Sequence, residues 1–236
     1  MTKESEQFNN RRWFKDLLHR PLTLATGQAP IAFTSSLTDN SKLNRKKFFE
    51  LSGIELIDSL QFWFDDKKVT QASIDYLNKF LPQGSVLVGY EFGEATRRVL
   101  TRAKVQFIDI WLHPVRFYED VLFGISSNNK AVFEGMKPFH VADELFWLYA
   151  DRLKIQLYKG FRRDEEELVP NSALLVGQTL EDKAICRDGK MLSLLDFKDK
   201  VEALSKEYAR VYFSRHPFVK KGDEETLKWL QSLPNV

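Results

Sequence analysis

Two short runs in the last third of the chain put reactive side chain types at the ends of apolar segments. Gly177-Gln178-Thr179-Leu180-Glu181-Asp182 follows the run SALLV. A glycine permits a tight exit from a strand, and the two carboxylates after it are then held at the strand end. A carboxylate there can serve as a general base or a nucleophile. Arg215-His216-Pro217-Phe218 closes the run ARVYFS. The guanidinium fork and the imidazole N–H both bind phosphate or carboxylate, and Pro217 ends the strand with the imidazole outward. Glu91, His113 and Arg116 form a third set: carboxylate, imidazole and guanidinium facing one cleft would orient a polyhydroxylated anionic sugar. Each set has a competing structural reading. These are a solvated acidic loop, a turn whose histidine bonds backbone, and a salt-bridge network between lobes.

The elements that must hold these residues read as alternating strands and helices. SVLVGYEF (85–92) and VQFIDIWLH (105–113) are apolar strand-like runs, and Glu94–Ala103 lies between them with a helical pattern. Strand, helix, strand at this spacing predicts a parallel βαβ unit. SALLVGQ (172–178), the helical stretch Leu192–Tyr208 and ARVYFSRHPF (209–218) repeat the logic, with a terminal helix over Asp223–Leu233. Parallel sheets bind ligands beyond the carboxyl ends of their strands, which is where all three sets fall. Further helices are expected over Gln71–Leu81 and Ala142–Tyr158, the latter with Leu145, Leu148, Tyr149, Leu153 and Leu157 on its apolar side. Lys47–Phe64 reads as short helices. Residues 1–45 are weakly patterned and rich in turn formers, with a short helix or strand around Trp13–Leu18. The charged run FRRDEEELVPN reads as a connection between lobes. The expected division is therefore 1–45, a first α/β lobe over 46–163, and a second over 164–236.

Composition sets outer bounds. The 236 residues are 43% hydrophobic and 13% aromatic, enough for one sizeable core or two small lobes. Lys and Arg number 35 against 33 acids, a net charge of +2, which excludes polyanion binding by bulk charge and gives no nucleic-acid stripe. Cys186 is the single cysteine, so no intrachain disulfide forms and a cysteine zinc cluster is excluded. His19, His113, His140 and His216 lack metal-ligand spacing. There is no Walker A, GxGxxG, GxSxG or HExxH pattern. With no secretory h-region and no membrane-length apolar run, a cytoplasmic protein in a reducing compartment is expected.

The stretch ALLVGQTLEDKAICRDGKMLSLLDFKDKVEALSKEYARVYFSRHPFVKKGDEE resembles the retaining β-Kdo glycosyltransferases of bacterial capsule and lipopolysaccharide O-antigen synthesis. In that family a strand ending in Gly-Gln precedes an acidic pair, then a helix and a strand ending in His-Pro. The block GYEFGEATRRVLTRAKVQFIDIWLHPVRFYEDVLF is similar to their acceptor-side lobe, so the resemblance spans roughly 85–225. It implies a GT-B-like fold, two Rossmann-like lobes around a cleft, with CMP-Kdo as donor and a glycan or glycolipid as acceptor. It implies Asp182 as nucleophile, with Glu181 next, in a double displacement with retention. Gly177, Gln178, Arg215 and His216 would hold the donor, His216 at the CMP phosphate. Glu91, His113 and Arg116 would hold the sugar carboxylate or the acceptor hydroxyl. CMP is a good leaving group, so the chemistry requires neither metal nor cofactor. The chain runs only to Val236 after Phe218, whereas a full nucleotide-binding lobe continues further. The second lobe is therefore expected to be incomplete, the chain being a fragment, a truncated gene product or a protein that needs a partner chain. The expected setting is the inner face of the membrane, with peripheral contact. The rivals are a transferase for another CMP-activated acid of the sialic type and an inactive glycan- or partner-binding module.

Overall fold

The computed structural model describes residues 3–37, 39–56, 63–112, 122–160, 168–180 and 182–236. It is a mixed α/β structure that divides into two compact units, Met1–Leu157 and Tyr158–Val236.

The first unit opens with helix α1 (Lys3–Thr26), longer than the short helix or strand expected around Trp13–Leu18 and running through His19–Thr26, where turn formers suggested loop. Its apolar stripe is sparse and broken by charges, so periodicity does not show it. The contacts that α1 makes are aromatic: Trp13 and Phe14 lie 5.8 and 5.6 Å from the Tyr90 ring, and Trp13 lies 6.4 Å from Phe123. The turn-forming residues that suggested a loop instead bond back along the helix, Thr23 Oγ1 to the His19 carbonyl and Thr26 Oγ1 to that of Leu22. Residues 3–37 and 39–45 fall in the first unit. The two-residue strands β1 (Ser35–Ser36) and β2 (Leu43–Asn44) pair in parallel. Asn44 then starts α2 (Arg45–Glu50) by accepting the Lys47 N–H.

Helix α3 (Gln71–Asn78) ends three residues before the predicted Leu81, ahead of Pro82 and Gly84. The Ser73 hydroxyl, wholly buried, donates to the Phe48 carbonyl at 2.8 Å and ties α3 to α2. Around this tie Phe48, Phe49, Phe64, Ile74 and Leu77 form a core cluster with Val99, Leu100 and Phe107. The last three come from the predicted βαβ unit, which is present: β3 (Val86–Tyr90), α4 (Glu94–Arg102) and β4 (Gln106–Leu112), with β3 and β4 parallel. Strand β5 (Phe123–Ser127) adds antiparallel to β4, giving the order β3-β4-β5. Helix α5 (Lys130–Met136) follows, capped by Asn129, and then α6 (Asp143–Gly160). Of the five residues assigned to the apolar side of α6, Tyr149 is buried, whereas Leu148 and Leu157 are about half exposed.

The second unit is smaller. Strand β6 (Ser172–Val176) leads to a one-turn 3-10 segment and the hairpin β7 (Cys186–Arg187) and β8 (Lys190–Met191). A capping box at Ser193 and Asp196 starts the next 3-10 turn, which runs into α7 (Lys198–Glu207). Strand β9 (Arg210–Ser214) pairs in parallel with β6, as predicted, and α8 (Glu224–Ser232) follows. Lys198 Nζ sits 5.7 Å from the Trp229 ring and links α7 to α8. On the edge of β9 away from β6, the Val211 N–H donates to the Asn235 carbonyl at 2.6 Å. The predicted connection FRRDEEELVPN lies mostly outside the described residues. No helix among those described is long and apolar enough to cross a membrane.

Two glycines test the packing in opposite directions. A Cβ on Gly89 would lie 2.0 Å from the Phe92 ring, which packs edge-on against Phe107. Gly89→Ala is expected to cost about 1–3 kcal/mol through overpacking. An added Cβ at Gly135 in α5 meets nothing within 4 Å. Gly135→Ala is expected to stabilise by about 0.5–1 kcal/mol through helix propensity. Urea unfolding midpoints of the two variants check both signs.

Candidate functional site

The second unit brings the two C-terminal motifs together. Strands β6 and β9 pair through to Val176 and Ser214, and the Gly177 N–H extends the ladder by donating to the Ser214 carbonyl at 2.8 Å. Gln178 and Arg215 therefore leave from neighbouring positions at the same, carboxyl, end of a parallel pair. Glycine relieves crowding here: a Cβ on Gly177 would lie 3.0 Å from the Phe213 ring and 3.2 Å from the Ser214 carbonyl. The Gln178 side chain folds back, its Oε1 accepting the Thr179 N–H at 2.7 Å, so its amide hydrogens remain as donors.

Asp182 is half-buried, and its Oδ1 accepts the Ala184 N–H at 2.8 Å. Its carbonyl takes the Ile185 N–H at 3.1 Å, so Asp182 caps the 3-10 turn Lys183–Ile185. Glu181 lies outside the described residues. The hairpin after this turn is fastened to the next element by Lys190, whose ammonium bonds the Asp196 carboxylate. That hydrogen bond, then the Ser193 N–H, holds Asp196 below the usual carboxylate range.

The Arg215 guanidinium is a bidentate partner of Asp223, Nε to Oδ2 at 2.8 Å and Nη2 to Oδ1 at 2.6 Å. Asp223 is buried, and its hydrogen bonds raise the Arg215 pKa above the ordinary arginine value. This pair clasps the loop between β9 and α8. Within the loop His216 Nδ1 accepts the Phe218 N–H at 3.2 Å, and the His216 carbonyl accepts that of Val219 at 2.9 Å. Neutral His216 with Nδ1 as acceptor carries its proton on Nε2, which makes Nε2–H the group that can donate to an anion. The rings of His216 and Phe218 meet at 5.4 Å, and Phe218 itself is 83% exposed.

In the first unit, Glu91 follows β3 in the left-handed region, with φ +52°, while its N–H still donates to the Ile110 carbonyl at 2.8 Å. Such backbone is uncommon outside glycine and recurs at functional sites. The next N–H, of Phe92, donates to Asp109 Oδ1 at 2.8 Å, and Arg97 Nη1 lies 3.5 Å from Asp109 Oδ2. Asp109 is 1% exposed. Opposite it on β5 lies Ser126, whose buried hydroxyl has no hydrogen-bond partner among the described residues. His113 and Arg116 lie outside the described residues, so Glu91 alone of its set is placed.

A shallow depression of about 550 Å³ lies along α4, lined by Asp66, Glu94, Arg97, Arg98, Thr101 and Arg102. Its cations are engaged in structure. Arg98 bonds Asp66 at 3.2 Å and also Glu94, and the Asp66 hydrogen bond is the main reason its pKa rises. Arg102 donates to the carbonyls of Asp66 and Val69 at 2.8 and 2.7 Å. Sequence reasoning missed Asp109, Arg97 and Asp223. Asp109 sits inside the apolar run FIDIW, and that position, a carboxylate within a buried strand, is the one signal that could have found it. Among the described residues no group of three or more His, Cys, Asp or Glu is placed to hold a metal ion.

No protein-family model, curated protein or solved structure matches the chain.

Asp196 gives a pH expectation with a defined sign. Its folded pKa is depressed, so the stability it contributes is complete above about pH 4, the unfolded carboxylate value, and is lost as pH falls through the folded value. Asp196→Asn should speed amide exchange over residues 186–197 at neutral pH. It should also shrink the wild-type loss of stability on acidification from pH 5 to pH 3. Hydrogen exchange and acid titration of the urea midpoint measure the two effects.

Proposed function

We propose that this chain is a glycosyltransferase module that takes Kdo from CMP-Kdo and passes it to a bacterial surface glycan with retention. One observation carries the reading: Gly177-Gln178 and Arg215-His216 leave side by side from the carboxyl ends of the parallel pair β6 and β9. That is where parallel α/β sheets bind ligands. In this reading His216 donates Nε2–H to the CMP phosphate. Arg215, held by Asp223, adds positive charge through its remaining N–H groups, and Gln178 offers its amide. Asp182, or Glu181 beside it, attacks the anomeric carbon as CMP departs with the bonding electron pair. The glycosyl–carboxylate bond then breaks as an acceptor hydroxyl attacks and loses its proton. Glu91, with His113 and Arg116, holds the sugar carboxylate or the acceptor. The two units then correspond to the lobes of a GT-B-like enzyme working at the inner membrane face. The same site chemistry suits another CMP-activated acidic sugar.

A second reading is favoured by the Asp182 hydrogen bond to Ala184 N–H, which gives that carboxylate a capping role. It is a nucleotide- or glycan-binding module without turnover.

Calorimetric titration with CMP, followed by turnover with CMP-Kdo and a panel of Kdo acceptors, tests both. The transferase reading expects CMP binding that weakens about tenfold in His216→Ala, equivalent to about 1.4 kcal/mol. It also expects Asp182→Ala to keep that binding and lose turnover. Binding without turnover in the wild-type chain favours the module. A folded chain that binds neither CMP nor CMP-Kdo removes the donor-site assignment.

A further inference from the structure

Helix α6 carries exposed side chains in a repeating position that the proposed transferase chemistry does not use. Trp147, Asp151, Lys154 and Tyr158 succeed one another at spacings of four, three and four residues, the rhythm of a helix-pairing seam. Trp147 and Tyr158 are 69% and 65% exposed, and Leu148 and Ile155 flank them at 56% and 55%. Between the aromatics Asp151 and Lys154 are also exposed and bond one another at 3.2 Å. Tyr149, which α6 buries, lies across the helix from this stripe.

The stripe reads the same in both directions. Turned about a point between Arg152 and Leu153, Trp147 takes the place of Tyr158 and Asp151 the place of Lys154. Two such helices laid antiparallel set each Asp151 against the Lys154 of the other copy, and each Trp147 against the other Tyr158. Leu148 and Ile155 then flank the seam. Laid parallel, they would set Asp151 against Asp151 and Lys154 against Lys154, which is repulsive. A surface complementary to itself by a half-turn is the requirement for an isologous contact between identical chains.

We propose that α6 pairs antiparallel with α6 of a second copy of this chain, forming a two-fold homodimer. The central layer is a four-charge network of two Asp151–Lys154 pairs, closed at each end by Trp147 against Tyr158. The contact is independent of the transferase reading and stands or falls by itself.

Sedimentation velocity of the full chain tests it, using Asp151→Lys and Lys154→Asp separately and mixed. The wild-type chain is expected to dimerise with rising concentration, in about the micromolar range for an interface of this modest size. Asp151→Lys carries only cations at the two central positions and Lys154→Asp only anions. Each alone is expected to dimerise at least about tenfold more weakly, the scale of a lost central contact. The equimolar mixture is expected to dimerise again, because each chain then meets the opposite charge. That recovery separates pairing between copies from the ion pair within one helix, which mixing does not restore. Far-ultraviolet circular dichroism of each variant confirms that α6 still forms. A wild-type chain that stays monomeric up to about 100 µM, well above that range, overturns the proposal. So does a dimer that both charge variants leave unchanged, or a mixture no more dimeric than its components.

Discussion

A parallel strand that turns into the next element carries its first N–H beyond the ladder into a place where water is scarce and an acceptor must be supplied. Both units are organised by how that group is satisfied. In the first, Glu91 N–H is taken by the Ile110 carbonyl, and the Phe92 N–H after it by the carboxylate of Asp109, a side chain from the neighbouring strand held in turn by Arg97. In the second, Gly177 N–H is taken by the Ser214 carbonyl, and the absence of a side chain at Gly177 lets the strands approach. The first solution places a buried charge under the β3–α4 turn and fixes Glu91 in its left-handed conformation. The second is uncharged and makes two loop starts neighbours. The candidate residues of each unit hang on these acceptors.

The arginines show how tertiary structure reassigns a residue whose sequence context points elsewhere. Arg215, beside a histidine at a strand end, reads as an anion binder, yet two of its nitrogens are spent on Asp223, eight residues later. A bidentate carboxylate pair fixes both plane and position, so the loop carrying His216 is braced by it. Arg98 and Arg102 do related work in the first unit, holding the Asp65–Val69 segment against α4 through Asp66 and the Val69 carbonyl. Cation type and strand-end position are visible in a linear sequence; the carboxylate or carbonyl waiting across a loop is not.

That distinction sorts what could be read beforehand. The βαβ logic of both units was legible because SVLVGYEF, VQFIDIWLH, SALLV and ARVYF are apolar runs separated by helix-patterned stretches. The adjacency of the Gly177 and Arg215 motifs followed from it, since parallel strands share a carboxyl end. Helix α1 was legible only as a short helix or strand around Trp13–Leu18, because its contacts are a few aromatic rings on Tyr90 and Phe123 and its last turn carries threonines. Strand β5 was hidden for a related reason. FGISS has little strand character alone, and Gly124 is there because a Cβ would fall 2.3 Å from the Trp111 indole nitrogen. Asp109 was disguised by its apolar neighbours.

The bond from Val211 N–H to the Asn235 carbonyl bears on how the small sheet of the second unit meets other chains. A bare strand edge is a template for pairing, and a two-stranded sheet has two of them. On β9 the outward donor at Val211 is already occupied, so a strand arriving there must first displace Asn235. The β6 edge carries no such guard among the described contacts, and Leu174 and Val176 on that strand are both about two-thirds exposed. Strand addition to this unit is thereby directed to one flank, which gives its sheet a polarity of growth.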